Sequence, residues 1–313
     1  MKIHFWGVRG SIPTPVSPSR IKSKISAIVE QITPEDLATA ESRERFLAGL
    51  PPWLFGTVGG NSPCVSVTFD DADEMIVFDC GSGLRELGMA QVFEKRKTNH
   101  FHIFLSHFHW DHLQGLPFFG PAYNPTASIE FYSPVGGLEK ILGGQMTNPY
   151  FPVSMDVMGA KRTFHYMEKD VEISGHTIGM KKMNHPGGSY AYCVDEKGKR
   201  FIYATDTELT PSDFEKNDEN AAFFSGADLL VIDCQYTLGE AIEKYNWGHS
   251  AFSLAVDFAV NWGIRHMVMF HHDPTYDDEK IYGLLQSARW YLERMNLKGI
   301  DLTLAYEGLE ISI

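Results

Sequence analysis

Three histidines and an aspartate fall within six residues in the stretch LSHFHWDHLQG, Leu105 to Gly115. His107, His109, Asp111 and His112 follow an apolar run, Phe101–Leu105, with the composition of a buried strand. In extended chain alternate side chains share a face, so His107 and His109 point the same way and can grip one ion. Asp111 and His112 come where the chain must turn, within reach of a second ion. Imidazole nitrogen with carboxylate oxygen suits zinc first, with manganese or iron as alternatives. Two such ions about 3.5–4 Å apart share a hydroxide that is nucleophilic at neutral pH. A lone histidine is usually structural, but four such residues at a strand end are rarely a chance grouping.

Four later stretches carry further candidates. His185 lies in MNHPGGS, Asp206 follows the apolar run FIYA in ATDTE, and FHHDP follows MVMF. Taken singly, His185 reads as a core or surface histidine and Asp206 as a turn residue or cap. His271 and His272 are adjacent, so in a strand they face opposite ways and only one can be a ligand. His249, in NWGHS, either does chemistry or packs on Trp247 beside a helix starting at Ser250. The remaining histidines, including His100, His102 and His165, have no motif around them and read as structural.

The elements that would position these residues are short apolar runs bounded by Gly, Pro or Asp. Strands are expected at Lys2–Trp6, Cys64–Phe69, Met75–Asp79, Phe101–Leu105, Ser128–Tyr132, Tyr190–Val194, Arg200–Ala204, Leu229–Asp233 and Met267–Phe270. Helices are expected at Gly83–Lys95, at Ser250–Trp262 with Ser250 as cap, and from about Asp278 to Met295. This alternation, without a linker, predicts one layered α/β domain over residues 1–313. A helical insertion at about 15–55 interrupts it, with helices at Pro18–Gln31 and Pro34–Leu47 and an extended apolar arm, LPPWLF. Thr33 and Pro34 suit the cap and first turn of the second helix. The insertion reads as a lid, an oligomer contact or a peripheral hairpin.

Composition narrows the partners. The chain has 313 residues and a formal net charge of −13, which disfavours duplex or long RNA substrates. A small phosphate ester stays open, because cations can supply positive charge locally. No apolar run is long enough to span a bilayer and no secretory signal is evident. Cys64, Cys80, Cys193 and Cys234 are scattered through apolar contexts, as expected for reduced thiols in the cytoplasm.

HFHWDH resembles the H-x-H-x-D-H signature of the metallo-β-lactamase superfamily, whose fold is a four-layer αββα sandwich. MNHPGGS, ATDTE and FHHDP resemble its later motifs, in order. The resemblance implies that His107, His109 and His185 hold one metal, Asp111, His112 and His271 the other, and Asp206 both. It also favours His271 over His272. WGHS resembles the site in ribonuclease Z-like phosphodiesterases where a histidine outside the metal shell donates a proton, which implies that role for His249. The opening MKIHFWGVRGSIPTP and GGNSPC resemble the same subgroup. The likeness spans nearly the whole chain and omits the insertion.

The implied function is phosphodiester hydrolysis of a small substrate, a cyclic nucleotide or cyclic phosphate, with Asp111 and His249 as catalytic groups. The Gly-rich basic arm expected of ribonuclease Z itself is not evident. An acyl hydrolase of the same fold, acting on thioesters or lactones, is the alternative; WGHS favours the phosphodiester. A di-iron oxidoreductase and a non-catalytic cofactor-biosynthesis protein are further alternatives. The apolar LPPWLF arm suggests a homodimer.

Overall fold

The computed structural model describes residues 1–93 and 98–313. Strands β1 (Lys2–Gly7), β2 (Cys64–Thr68), β3 (Met75–Phe78), β4 (His100–Phe104), β5 (Ser128–Ser133) and β6 (Lys161–Tyr166) build the first sheet. The second sheet holds β7 (Val171–Ile173), β8 (His176–Met183), β9 (Ser189–Glu196), β10 (Lys199–Ala204), β11 (Leu229–Asp233), β12 (His266–Phe270) and β13 (Asp301–Leu304). A last strand, β14 (Glu310–Ser312), returns to the first sheet and pairs antiparallel with β1. Strands β3 to β6 run parallel, as do β10 to β13, so the carboxyl ends of each set share one rim.

The period-two pattern of the central strands explains the layering. In β3, Ile76 and Phe78 face the second sheet, while Met75 and Val77 face outward. In β12, Val268 and Phe270 face the first sheet, while Met267 and Met269 face outward. Both faces are apolar because both are covered. Leu84 and Leu87 of the helix Gly83–Phe93 cover the first sheet. The helices Phe252–Asn261 and Asp278–Arg294 cover the second. Helix, sheet, sheet and helix make the expected αββα sandwich.

Several expected boundaries change. Strands β6, β7, β8, β13 and β14 were absent from the sequence reading. Strands β7 and β14 have three residues each, β6 is half exposed and β8 carries two lysines, so their apolar signal is weak. The expected helix Pro34–Leu47 is two, Pro34–Leu37 and Ala40–Gly49, each opened by a threonine capping box. The LPPWLF arm is not extended: Pro52–Phe55 is a helical turn that buries Leu54. Ser250 is not a cap, because its hydroxyl donates to the Thr207 carbonyl and accepts from the Leu209 amide. Residues 94–95, the expected end of the helix from Gly83, lie outside the described residues.

The insertion rests on the start of the last long helix. Lys24 pairs with Asp278 at 2.5 Å and Arg20 with Asp277 at 3.1 Å. Outward, Ile21, Ile25 and Val29 form an exposed stripe at helical spacing.

Phe78 is fully buried and meets the rings of Phe104, Tyr192, Phe201 and Tyr203. Its replacement in Phe78→Ala should cost about 3–5 kcal/mol. Urea unfolding followed by circular dichroism should show that loss as a lower midpoint.

Candidate metal centre

The strands that share a rim end in polar residues. Asp79 follows β3, Ser106 and His107 follow β4, Asp206 follows β10, Asp233 closes β11 and His271 follows β12. Asp79, Asp206 and His271 adopt positive φ, at 62°, 44° and 61°. This left-handed turn swings each side chain from the sheet toward the rim, at a cost in backbone strain.

Two groups of nitrogen and oxygen donors result. His107, His109 and His185 form one; Asp111, His112, Asp206 and His271 form the other. The nearest donor pairs are 3.1 Å for His185 Nε2 to His109 Nδ1 and for His112 Nε2 to Asp206 Oδ1. His271 Nε2 also stands 3.1 Å from Asp206 Oδ1 and 3.4 Å from Asp111 Oδ2. The other Asp206 oxygen faces His107 Nε2 at 3.7 Å and His185 Nε2 at 3.9 Å. Asp206 thus offers one oxygen to each group.

The donors fit divalent cations on a test independent of motif. Donors bound tetrahedrally at about 2.0–2.1 Å stand roughly 3.3 Å apart, close to these spacings. His107 Nε2 and His112 Nε2 are buried with no hydrogen-bond partner among the described residues. Such orphans are costly unless something else occupies their lone pairs.

Hydrogen bonds from the opposite ring nitrogens set the tautomers. His112 Nδ1 meets Asp79 Oδ2 at 2.8 Å, His271 Nδ1 meets Gln235 Oε1 at 2.9 Å and His185 Nδ1 meets the Gly248 carbonyl at 2.8 Å. With Nδ1–H donating, each Nε2 keeps its lone pair for the centre. Burial lowers the pKa of His107 and of His185, favouring neutral imidazole. Burial opposes the charges of Asp111 and Asp206, yet the neighbouring histidines hold both carboxyls below their usual range. His112 is raised despite burial, by Asp206, Asp111 and Asp79.

The choice between adjacent histidines is geometric. His272 turns away and shares a 2.8 Å hydrogen bond with the Ala305 carbonyl. Burial takes its pKa down to about 3. His271 alone faces the donor cluster.

His249 stands beside that cluster, stacked on His271 with ring centroids 5.0 Å apart. Its Nδ1 lies 2.6 Å from Asp233 Oδ2. Burial opposes the imidazolium, but the Asp233 charge and hydrogen bond outweigh it, raising the pKa to about 9. The WGHS loop is held by Glu208, whose carboxylate accepts from the Asn246 and Gly248 amides at 3.0 and 2.9 Å. Gly248 has φ +88°, and a Cβ there would meet His185 Nδ1 at 2.2 Å. Only glycine fits. Asp111, Asp206, His249, His109 and Trp110 line an open cleft of about 400 Å³.

Sequence reasoning missed Asp79, Asp233, Gln235 and Glu208. Two carried a usable signal: MIVFD and LLVID each end a wholly apolar strand in a carboxylate. Arg9 and Asn61 are structural. Arg9 donates to the carbonyls of Gly59, Asp273 and Tyr276, and Asn61 is tied to Glu307 and Ser82.

Known proteins share this architecture. The chain is 22% identical to "Ribonuclease Z" of Streptococcus suis over 285 residues, covering 73% of this chain and 88% of the relative. A solved diphosphatase of the PhnP family superposes with a TM-score of 0.62 at 18% identity, covering 100% of this chain and 97% of that one. Zinc-bound PqqB from Methylobacterium extorquens superposes with a TM-score of 0.65 at 14% identity, covering both chains fully (100% each). A family profile described as "Beta-lactamase superfamily domain" matches residues 74–272, from the residue before β3 to the histidine after the rim. The chain therefore belongs to that family, as a metal-dependent hydrolase with the metallo-β-lactamase fold.

Proposed function

We propose that this chain is a phosphodiesterase acting on a small substrate, a cyclic nucleotide or cyclic phosphate, with two divalent cations as cofactors. The observation that carries this reading is the His249–Asp233 pair, 2.6 Å apart, in the same cleft as Asp111 and Asp206. An alkoxide leaving group needs a proton, and a carboxylate-held imidazolium is a suitable donor. Thioester hydrolysis, which releases a thiolate, has no such need.

His107, His109 and His185 would hold one cation, Asp111, His112 and His271 the other, and Asp206 both. Zinc is favoured by the imidazole-rich donor set and by the zinc-bound neighbour. Such cations supply positive charge for phosphate oxygens and bring the pKa of water into range of a nucleophile. Asp111 is fixed by the Ser11 amide, 2.8 Å from Oδ2, and orients the attacking water. His249 gives its proton to the departing oxygen while Asp233 holds the opposite ring nitrogen and the tautomer. Trp110, 86% exposed at the mouth of the cleft, offers an indole face on which a base can stack.

The small cleft and the acidic chain favour a small phosphodiester. An RNA substrate is the second reading, favoured by the ribonuclease Z relative matched over 88% of its length. Cleavage of 2′,3′-cyclic nucleotides, RNA and a thioester by zinc- or manganese-loaded chain separates the readings. No phosphodiester cleavage would overturn the proposal; RNA cleavage alone would replace the substrate.

We also read residues 1–313 as one catalytic domain with a helical insertion at about 15–55. The Ile21, Ile25 and Val29 stripe is a face through which two copies could pair. Among the described residues no helix is long and apolar enough to cross a membrane. Four buried free thiols support a reducing, cytoplasmic setting.

His249→Ala should keep its metal and its fold. On alkyl phosphodiesters it should lose about 10²–10⁴ in kcat, and much less on bis-p-nitrophenyl phosphate. Equal losses would count against proton donation. Asp233→Asn should act through the same proton: without the anion the His249 pKa falls, and the donor is lost at lower pH. The alkaline limb of kcat against pH on an alkyl substrate should move down. Asp206→Ala, followed by elemental analysis, should lose metal from both groups of donors.

A further inference from the structure

Strand β4 carries histidines at both ends. His107 follows its carboxyl end, while His100 and His102 sit at its amino end, roughly 20 Å away along extended chain. The far pair alternates correctly for one face, and Glu74, just before β3, lies beside it. Glu74, His100 and His102 bring ligand atoms within 4.8 Å of one another.

Two observations distinguish this cluster from a solvated ion-pair network. The spacings suit ligands around one ion as they suit an ion pair: His100 Nδ1 to Glu74 Oε1 is 3.0 Å, and His102 Nε2 to Glu74 Oε2 is 3.4 Å. His102 is 4% exposed, and its Nε2 has no hydrogen-bond partner among the described residues although it faces Glu74. The opposite ring nitrogens are both governed by Glu130 of β5. His100 Nε2 meets Glu130 Oε1 at 2.8 Å, and His102 Nδ1 meets the Tyr132 hydroxyl at 3.0 Å. That hydroxyl donates to Glu130 Oε2 at 2.9 Å. A carboxylate behind His100, and one relayed through the Tyr132 hydroxyl behind His102, orients the two imidazoles as partners of metal-binding histidines do. The way in is open, since His100 and Glu74 side chains are 34% and 28% exposed.

We propose that Glu74, His100 and His102 form a second metal site, for a zinc-like divalent ion, at the end of the sandwich opposite the main centre. His100 Nδ1, His102 Nε2 and a Glu74 oxygen are the ligands, and solvent completes the shell. Glu74 also accepts from Ser174 in the turn between β7 and β8, so the bound ion would tie the two sheets together at this end. Its role is stabilisation rather than turnover.

The test is zinc stoichiometry on the full chain, by equilibrium dialysis and elemental analysis. His102 is buried and its loss endangers folding, so His100→Gln and Glu74→Gln are the variants. Each should lower bound zinc by one equivalent per chain and leave hydrolysis of bis-p-nitrophenyl phosphate unchanged. Zinc should also raise the melting temperature of Asp206→Ala, and adding His100→Gln should abolish that rise. The Asp206→Ala background separates this site from the main centre. Unchanged stoichiometry in both His100→Gln and Glu74→Gln would overturn the proposal, whatever the main centre binds.

Discussion

Asp79 is a fully buried carboxylate under the rim, and the cluster above it depends on how that charge is satisfied. Oδ2 meets His112 Nδ1, the Ser106 hydroxyl and the Tyr203 hydroxyl, each at 2.8 Å, and Oδ1 accepts from the Ser106 amide at 2.8 Å. A buried carboxylate without such partners is prohibitively costly. The partners come from both sheets: Ser106 and His112 follow β4, and Tyr203 belongs to β10. One anion therefore joins the two layers at the end where they must stay in register. It also fixes the His112 tautomer, leaving Nε2 for the centre. Packing and chemistry share a single hydrogen-bonded node.

Around this node the backbone is strained and the packing tight. Positive φ at Asp79, Asp206 and His271 costs about 1–3 kcal/mol each outside glycine. Close approach adds a second restriction, since a Cβ on Gly10 would meet the His271 ring at 2.5 Å. The rigid, doubly covered sheets hold these conformations in place. Loops on a loose scaffold would relax and the donors would spread.

The parts legible in the sequence were those with local signals. The apolar strands β3, β4, β10, β11 and β12 stood out because both faces are largely buried, and the polar residues just beyond β4, β10 and β12 marked the rim. The donors His107, His109, Asp111 and His112 were visible as a group because six residues contain them all. The residues that orient them were not. Asp79 lies 33 positions from His112, and Asp233 lies 16 from His249. Such partners are joined by the packing of sheets, which leaves no spacing to read. The surroundings of His100 and His102 were illegible for the same reason: Glu130, which meets His100 directly and His102 through the Tyr132 hydroxyl, is a strand away.

The two histidine clusters share a cause. Between the sheets the inner face must be apolar, as Phe78, Phe104, Tyr203 and Phe270 show. A titratable group among those rings would lose its water with nothing to replace it. At the ends of the strands water can reach one side of a cluster while protein holds the other. His109 is exposed at one end, and His100 is partly exposed at the other. The inner positions of β4 therefore run polar, apolar, polar: His102, then Phe104, then Ser106 beside Asp79. Buried nitrogens that complete no hydrogen bond among the described residues occur at both ends, on His107 and His112 at one and His102 at the other. Stability of the sandwich favours placing polar groups at its rims, where protein holds one side of a cluster and water reaches the other.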